Sequence, residues 1–235
     1  MKASIHLGII ATICISLFSK LSAQEVTSSN ISIIREHIYA GIPELYKQEK
    51  WAHKTYHFSH SAASSVYHLI NSGKLYTDWP EMDVYINKIL QSVMPEELAK
   101  DSVIHAYIMA EGAYNAFMTP SGIMFINLGL LAEIEDEATL ASIMAHELAH
   151  YWKRHALQRF VKEEHGDFRA LFFKGKEENQ FSISNEYESD SIAMGWLLNS
   201  GYSIQGMAKA TRIMALLDQK RVALSDSKFE FKEST

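Results

Sequence analysis

The chain has 235 residues, with 22 Lys+Arg against 28 Asp+Glu and a formal net charge of −6. That balance argues against a nucleic-acid binder, which normally carries a basic face, and 47% hydrophobic with 21% charged residues excludes wholesale disorder. A single Cys excludes a disulfide framework and a Cys-built zinc site, and the length fits one main domain.

Lys2 precedes a mostly apolar run from Ile5 to Phe18, followed by Leu21-Ser22-Ala23 and Gln24. A charged start, an apolar centre and a small residue at the exit make a secretory signal peptide, so residues 1–23 are read as a cleaved leader. His6 and Ser16 interrupt the run, which is too short for a good transmembrane helix. Cys14 lies inside it, so cleavage after Ala23 leaves a Cys-free, acidic chain suited to an oxidising extracytoplasmic compartment, periplasmic or secreted. No later run is apolar and long enough to span a bilayer.

Residues 24–77 read as a helical N-terminal region and 78–235 as the main domain. Glu44 to Asn71 contains no Pro or Gly, and Leu45, Trp51, Tyr56, Ala62, Val66 and Leu69 mark a helix that Gly73 stops. Its histidines His53, His57, His60 and His68 share one face, read as polar rather than as a second metal site. Asp78-Trp79-Pro80 opens another helix, with Met82, Tyr85, Ile86 and Leu90 on its apolar face. Val103 to Met109 is short, apolar and β-rich, a buried strand in which His105 is half-buried and satisfied. Ala116-Phe117-Met118 and Ile123 to Ile126 flank Thr119-Pro120-Ser121-Gly122, which predicts a hairpin or tight strand connection. Helical periodicity then predicts helices over 136–160, 183–200 and 203–222, the last two divided by Gly201, with a loop or lid over 161–181. A few strands between helical blocks give an α+β fold class, mainly helical with a small sheet.

His146-Glu147-Leu148-Ala149-His150 has the form H-E-x-x-H. Residues four apart stand one turn above each other on a helix, so both imidazoles can reach one ion. Imidazole nitrogen is a good zinc ligand, and Glu147 lies where its carboxylate can take a proton from a zinc-bound water. Chance placement of the 11 His and 20 Glu yields roughly 0.04 such matches per chain. Leu140, Ile143, Met144, Leu148 and Tyr151 define one apolar stripe, and the two histidines fall about 140° from its centre. Two surface histidines without metal are the bland alternative. Small Ala145 and Ala149 lie between that stripe and the histidines and let another segment approach. A hydrolytic zinc site needs a third protein ligand and one open position. The candidate is Glu186 in Asn185-Glu186-Tyr187-Glu188-Ser189-Asp190. Glu186 and Asp190 share a helix face, so one carboxylate can bind metal while the other holds the far nitrogen of a ligand histidine. Glu188 points about 200° away from Glu186. Spacing alone more often means a solvated acidic face.

In their order, these motifs resemble the gluzincin metallopeptidases of the CAAX prenyl protease and HtpX type, especially the soluble periplasmic quality-control members. The resemblance covers roughly residues 79–210. It rests on Asn115-Ala116-Phe117 with Pro120 and Gly122, on Gly129-Leu130-Leu131, and on the H-E-x-x-H segment with Arg154-His155. Glu186-Tyr187-Glu188-Ser189-Asp190 and Gly201-Tyr202 continue it. It implies a zincin-like domain with one zinc per chain on His146, His150 and Glu186, Glu147 as general base, and Asp190 behind a histidine. It further implies that the strand around Gly122, Ile123, Met124 and Phe125, with Asn115 nearby, is the edge strand that holds a substrate peptide by strand addition. Ser121 and Ser189 stand where the family usually has Gly and Ala. Relatives often continue past this C-terminus into a His-Pro-containing segment, and the oxyanion-stabilising residue is left open among His155, Tyr202 and Arg212. The expected function is a zinc metalloendopeptidase acting on polypeptides, with envelope proteins suggested by the family, no nucleic-acid partner and no membrane span after leader removal. A zinc-bearing chaperone or assembly factor is the alternative. A purely structural module is disfavoured, because structural zinc does not need Glu147.

Overall fold

A three-stranded sheet stands between two helical layers in the computed structural model, which describes residues 29–76, 79–100, 103–162, 180–213 and 215. Helices α1 (Ser29–Ala40) and α2 (Glu49–Ile70), separated by a 3-10 turn at Glu44–Lys47, form the N-terminal layer. Then follow α3 (Pro80–Val93), the short α4 (Glu96–Ala99), and strands β1 (His105–Met109), β2 (Ala116–Met118) and β3 (Ile123–Asn127). The chain continues through α5 (Leu128–Glu133), α6 (Glu137–Trp152), α7 (His155–Lys162), α8 (Gln180–Ser200) and α9 over 205–213. The expected leader, residues 163–179 of the expected loop and the far end of the helix expected over 203–222 lie outside the described residues. Among the described residues, no helix is long and apolar enough to cross a membrane.

The hairpin is as expected, but its second strand is not an edge. The sheet order is β1-β3-β2. β1 runs parallel to β3, with His105 opposite Ile123 and Met109 opposite Asn127. β2 runs antiparallel on the other side, with Ala116 opposite Ile126 and Met118 opposite Met124. The expectation that Gly122, Ile123, Met124 and Phe125 lie along an open edge is therefore corrected: both edges of this strand are already paired. All five residues of β3 are buried. The unbroken apolar run Ile123 to Ile126 marks a strand covered on both faces, whereas an exposed edge usually carries charge, Pro or a bulge.

Alternation along β3 divides the core. Met124 and Ile126 face Ile86, Leu90, Leu140, Met144, Leu148 and their neighbours on α3, α6 and α8. Ile123 and Phe125 face the opposite way, toward Ile34, Phe58, Val66, Leu157 and their neighbours on α1, α2 and α7. The N-terminal helices thus pack on the sheet face opposite α6, and His53, His57, His60 and His68 are all exposed on α2, which agrees with a polar face. His105 is half-buried, its Nε2 lying 3.2 Å from the Asn87 amide and 3.4 Å from Asp83.

The two true edges differ. That of β1 is covered: the Asn87 side chain accepts from the Ala106 N–H (2.8 Å) and donates to the Ala106 carbonyl (2.9 Å). Farther along, Tyr76 N–H donates to Ile108 (2.9 Å) and Ala110 N–H to Lys74 (2.7 Å). The outer edge of β2 meets no strand among the described residues. Thr119 N–H donates to the Ile123 carbonyl (2.8 Å) and Asn127 N–H to the Asn115 carbonyl (2.9 Å). Antiparallel ladders alternate, so Ala116 and Met118 turn their own N–H and C=O groups outward.

A single helix over 136–160 is also corrected. α6 stops at Trp152 and α7 begins at His155. Between them Arg154 takes φ 57°, the left-handed region, with its guanidinium 4.5 Å from the Tyr151 ring centroid. Neither Gly nor Pro marks this break, so periodicity runs straight through it.

Several elements hold the start of α6. Asp136 caps the helix, accepting from the Thr139 N–H (2.8 Å) and hydroxyl (2.7 Å), and pairs with Lys209 of α9. Glu137 accepts from the hydroxyls of Tyr85 (2.7 Å) and Tyr202. A Cβ on Gly206 would lie 2.2 Å from the Ala138 carbonyl oxygen, so only glycine lets α9 rest on this turn. Lys209, and after it Thr139, hold the Asp136 carboxyl down at about 2. A depressed carboxyl stabilises the fold fully above its unfolded value of about 4, and that contribution is lost as pH falls through about 2. Urea unfolding at a series of acid pH values should therefore show Asp136→Asn losing less stability between pH 4 and pH 2 than the wild type. Equal losses would mean that this cap does not titrate with folding.

Candidate metal centre

Two turns of α6 and one of α8 meet through small side chains. Ala145 and Ala149 on α6, and Ser189 and Ala193 on α8, have no exposed surface. That close approach brings His146, His150 and Glu186 together, with one ligand atom from each within 4.8 Å of the others. The two Nε2 atoms are 3.0 Å apart, and Glu186 places its oxygens 3.4 Å from His146 Nε2 and 3.6 Å from His150 Nε2. Tetrahedral zinc with bonds near 2.0–2.1 Å sets its ligands about 3.3 Å apart. The spacing fits, as does the chemistry of two imidazoles and a carboxylate. All three residues are half-buried, so the centre is open on one side.

Asp190, one turn beyond Glu186, lies 2.8 Å from His146 Nδ1. Accepting from that N–H, it leaves Nε2 as the ring nitrogen that faces His150 and Glu186. Burial pushes the His146 imidazole down, but Asp190 and Glu186 outweigh it and hold the ring up at about 10. Two carboxylates on one imidazole make a pocket that demands positive charge, which a proton or a metal ion can supply. Glu147 is half-buried beside His146, and its charge adds to that demand.

His155 completes a row of three imidazoles. Its Nδ1 lies 2.9 Å from His150 Nδ1, and its Nε2 donates to Glu188 Oε2 at 2.9 Å. It is buried, and burial pushes its pKa down against the pull of Glu188. Lys153 pairs with Glu188 at 2.7 Å and, with His155, holds that carboxyl below the ordinary range. Glu188 is thus engaged away from the ligand cluster, in keeping with its angle on the helix. Of the oxyanion candidates, Tyr202 is tied to Glu137 at the far end of α6, and Arg212 is exposed on α9. Asn115 is half-buried and accepts through its carbonyl from Asn127 N–H. The link between His155 and His150 escaped the sequence reading, because a straight helix would put these rings about 140° apart; the Arg154-His155 pair was its only trace.

Residues 80–176 match the sequence model of Peptidase family M48. The matched span includes α6 and ends before Glu186. Mitochondrial metalloendopeptidase OMA1 of Schizosaccharomyces pombe is 28% identical over 78 residues, 33% of this chain and 23% of that protein. Beta-barrel assembly-enhancing protease of Escherichia coli is 25% identical over 167 residues, 60% of this chain and 34% of that protein. The protein of that name from Yersinia pestis is 24% identical over 168 residues, again 34% of its length. The chain thus spans about a third or less of the curated relatives it matches. The relatives are named as proteases, and the His146-His150-Glu186 group of this chain could hold a metal ion.

The geometry predicts that Glu186→Ala, which takes the carboxylate out of the three-residue cluster, weakens metal binding by on the order of tenfold or more. Metal content after dialysis against a graded chelator measures this. Retention equal to wild type would show that Glu186 is not a ligand.

Proposed function

We propose that this chain is a zinc metalloendopeptidase that cleaves polypeptides, with one zinc held by His146, His150 and Glu186. The observation that carries the reading is the meeting of these three groups, with Glu147 on the same helix beside the first ligand. When bound, zinc supplies the Lewis acidity that makes a water nucleophilic near neutral pH and polarises a peptide carbonyl. The protein's own groups do the rest. Glu147 takes the proton from the attacking water and returns it to the leaving amine. Asp190 holds the His146 ring with its Nε2 lone pair inward. Glu186 offsets charge and completes the ligand set.

The peptide lies along β2 rather than β3. β2 packs against α6, and the outward N–H and C=O groups of Ala116 and Met118 can pair with an extended substrate, with Asn115 at the same edge. An acidic, Cys-free chain behind a removed leader suits an extracytoplasmic site, and the protease names among the relatives support envelope proteins as substrates. The division into a leader at 1–23, a helical region at 24–77 and a peptidase domain at 78–235 remains part of this proposal, as does the zincin-like assignment of that domain.

Glu147→Gln keeps shape and removes the base. Zinc content should stay at the wild-type level while cleavage of an unfolded polypeptide falls about a hundredfold or more. Unchanged cleavage would overturn the mechanism, and prevention of aggregation without cleavage by the zinc-loaded wild type would favour the chaperone reading. A second variant tests the edge. Ala116→Pro deletes one outward N–H without touching the β2–β3 ladder. It should lower kcat/KM roughly tenfold, mainly through KM, with zinc content unchanged. Unaltered kinetics would remove β2 as the substrate edge.

A further inference from the structure

We propose that His155 is a positioning residue which, with Glu188, fixes the tautomer and ring plane of the ligand His150. This rests on the metallopeptidase reading and adds to it residues outside the ligand set. His150 turns Nε2 toward Glu186 and His146, so its Nδ1 is the nitrogen that faces His155. Two ring nitrogens 2.9 Å apart share one proton, and the geometry alone does not say which carries it. The far side of His155 decides. Its Nε2 is 2.9 Å from Glu188 Oε2, and a carboxylate can only accept, so the proton of a neutral His155 sits on Nε2. His155 Nδ1 is then a bare acceptor, and His150 Nδ1 must be the donor. That leaves His150 Nε2 unprotonated and facing the ligand cluster, the one form that can bind a metal.

The relay runs from His150 through His155 to Glu188, which Lys153 holds at 2.7 Å. It does for the second histidine what Asp190 does directly for the first. Its construction depends on the left-handed residue Arg154, which ends α6 and redirects the chain so that the buried His155 ring stacks edge-on to His150, centroids 4.9 Å apart. Ser189 lies beside the contact, its hydroxyl 3.4 Å from His155 Nδ1.

Two amide replacements separate the halves of the relay. The oxygen of His155→Asn falls near the ring's Nδ1 and still accepts from His150. The amide of His155→Gln reaches the Nε2 position and meets Glu188, leaving His150 Nδ1 unpaired. Zinc affinity, measured by competition with a chromophoric chelator, should fall about 10–100-fold in His155→Gln and stay within about threefold of wild type in His155→Asn. Equal affinities in the two variants overturn the proposal. Long-range 1H–15N spectra of the zinc-loaded wild type give a readout that does not depend on how either variant folds. His150 should carry its proton on Nδ1 and His155 on Nε2, and a proton on His155 Nδ1 or zinc on His150 Nδ1 overturns the proposal. A wild type that binds no zinc defeats the metallopeptidase reading itself. A zinc-binding wild type with the wrong tautomers defeats the relay alone.

Discussion

The distance between α6 and α8 is the constraint on which the rest of the structure depends. Neither helix carries the whole centre: His146, Glu147 and His150 come from one, and Glu186 and Asp190 from the other. Ala145, Ala149, Ser189 and Ala193 line the contact with no exposed surface. A larger side chain at any of them would push the helices apart, and overpacking of this kind costs about 1–3 kcal/mol in stability alone. The cost to the centre would be greater in kind, because an oxygen 3.4 Å from a ligand nitrogen has little room to retreat and still share one ion. The cap at Asp136, the bonds from Tyr85 and Tyr202 to Glu137, and the close seat of Gly206 keep the far end of α6 in register with that contact.

Charge is organised around the same contact. Glu147, Glu186, Glu188 and Asp190 lie along three imidazoles, but they are not equivalent. Asp190 and Glu188 each face a ring nitrogen that points away from the ligand cluster. Glu186 faces the cluster itself. A carboxylate placed to accept a proton from the back of an imidazole makes the front nitrogen a better donor to a metal. An excess of negative charge that would repel itself on an open surface thus becomes a means of fixing tautomers.

Much of this was legible in the sequence. The H-E-x-x-H spacing places two histidines on one face of a helix whatever surrounds it, and four-residue spacing likewise joins Glu186 to Asp190. The helices at Glu49–Ile70 and Pro80–Val93 follow from uninterrupted periodicity and from Pro80 at the first turn. What escaped was set by partners distant in sequence. The run from Ile123 to Ile126 shows that a strand is buried, but it is the parallel pairing with His105–Met109 that makes it central, and no local signal encodes that pairing. The edge assignment therefore went to the wrong strand of a correctly read hairpin. The break at Arg154 escaped for a related reason: an arginine in the left-handed region is held there by its surroundings, including the Tyr151 ring, and not by its own preference.

The division of the core by β3 bears on where the chain can be cut. The family match starts at residue 80, as though everything before it were an appendage. Yet Val103, Met109, Phe117, Ile123 and Phe125 all point into the layer built from Ile34, Phe58, Val66 and Ile70. An expression boundary drawn near residue 78 would strip one whole face of the sheet and present a band of large apolar side chains to solvent, a surface prone to self-association. The unit that sequence comparison picks out and the unit that folds are different lengths of chain, and a soluble fragment for biochemical work must begin ahead of α1.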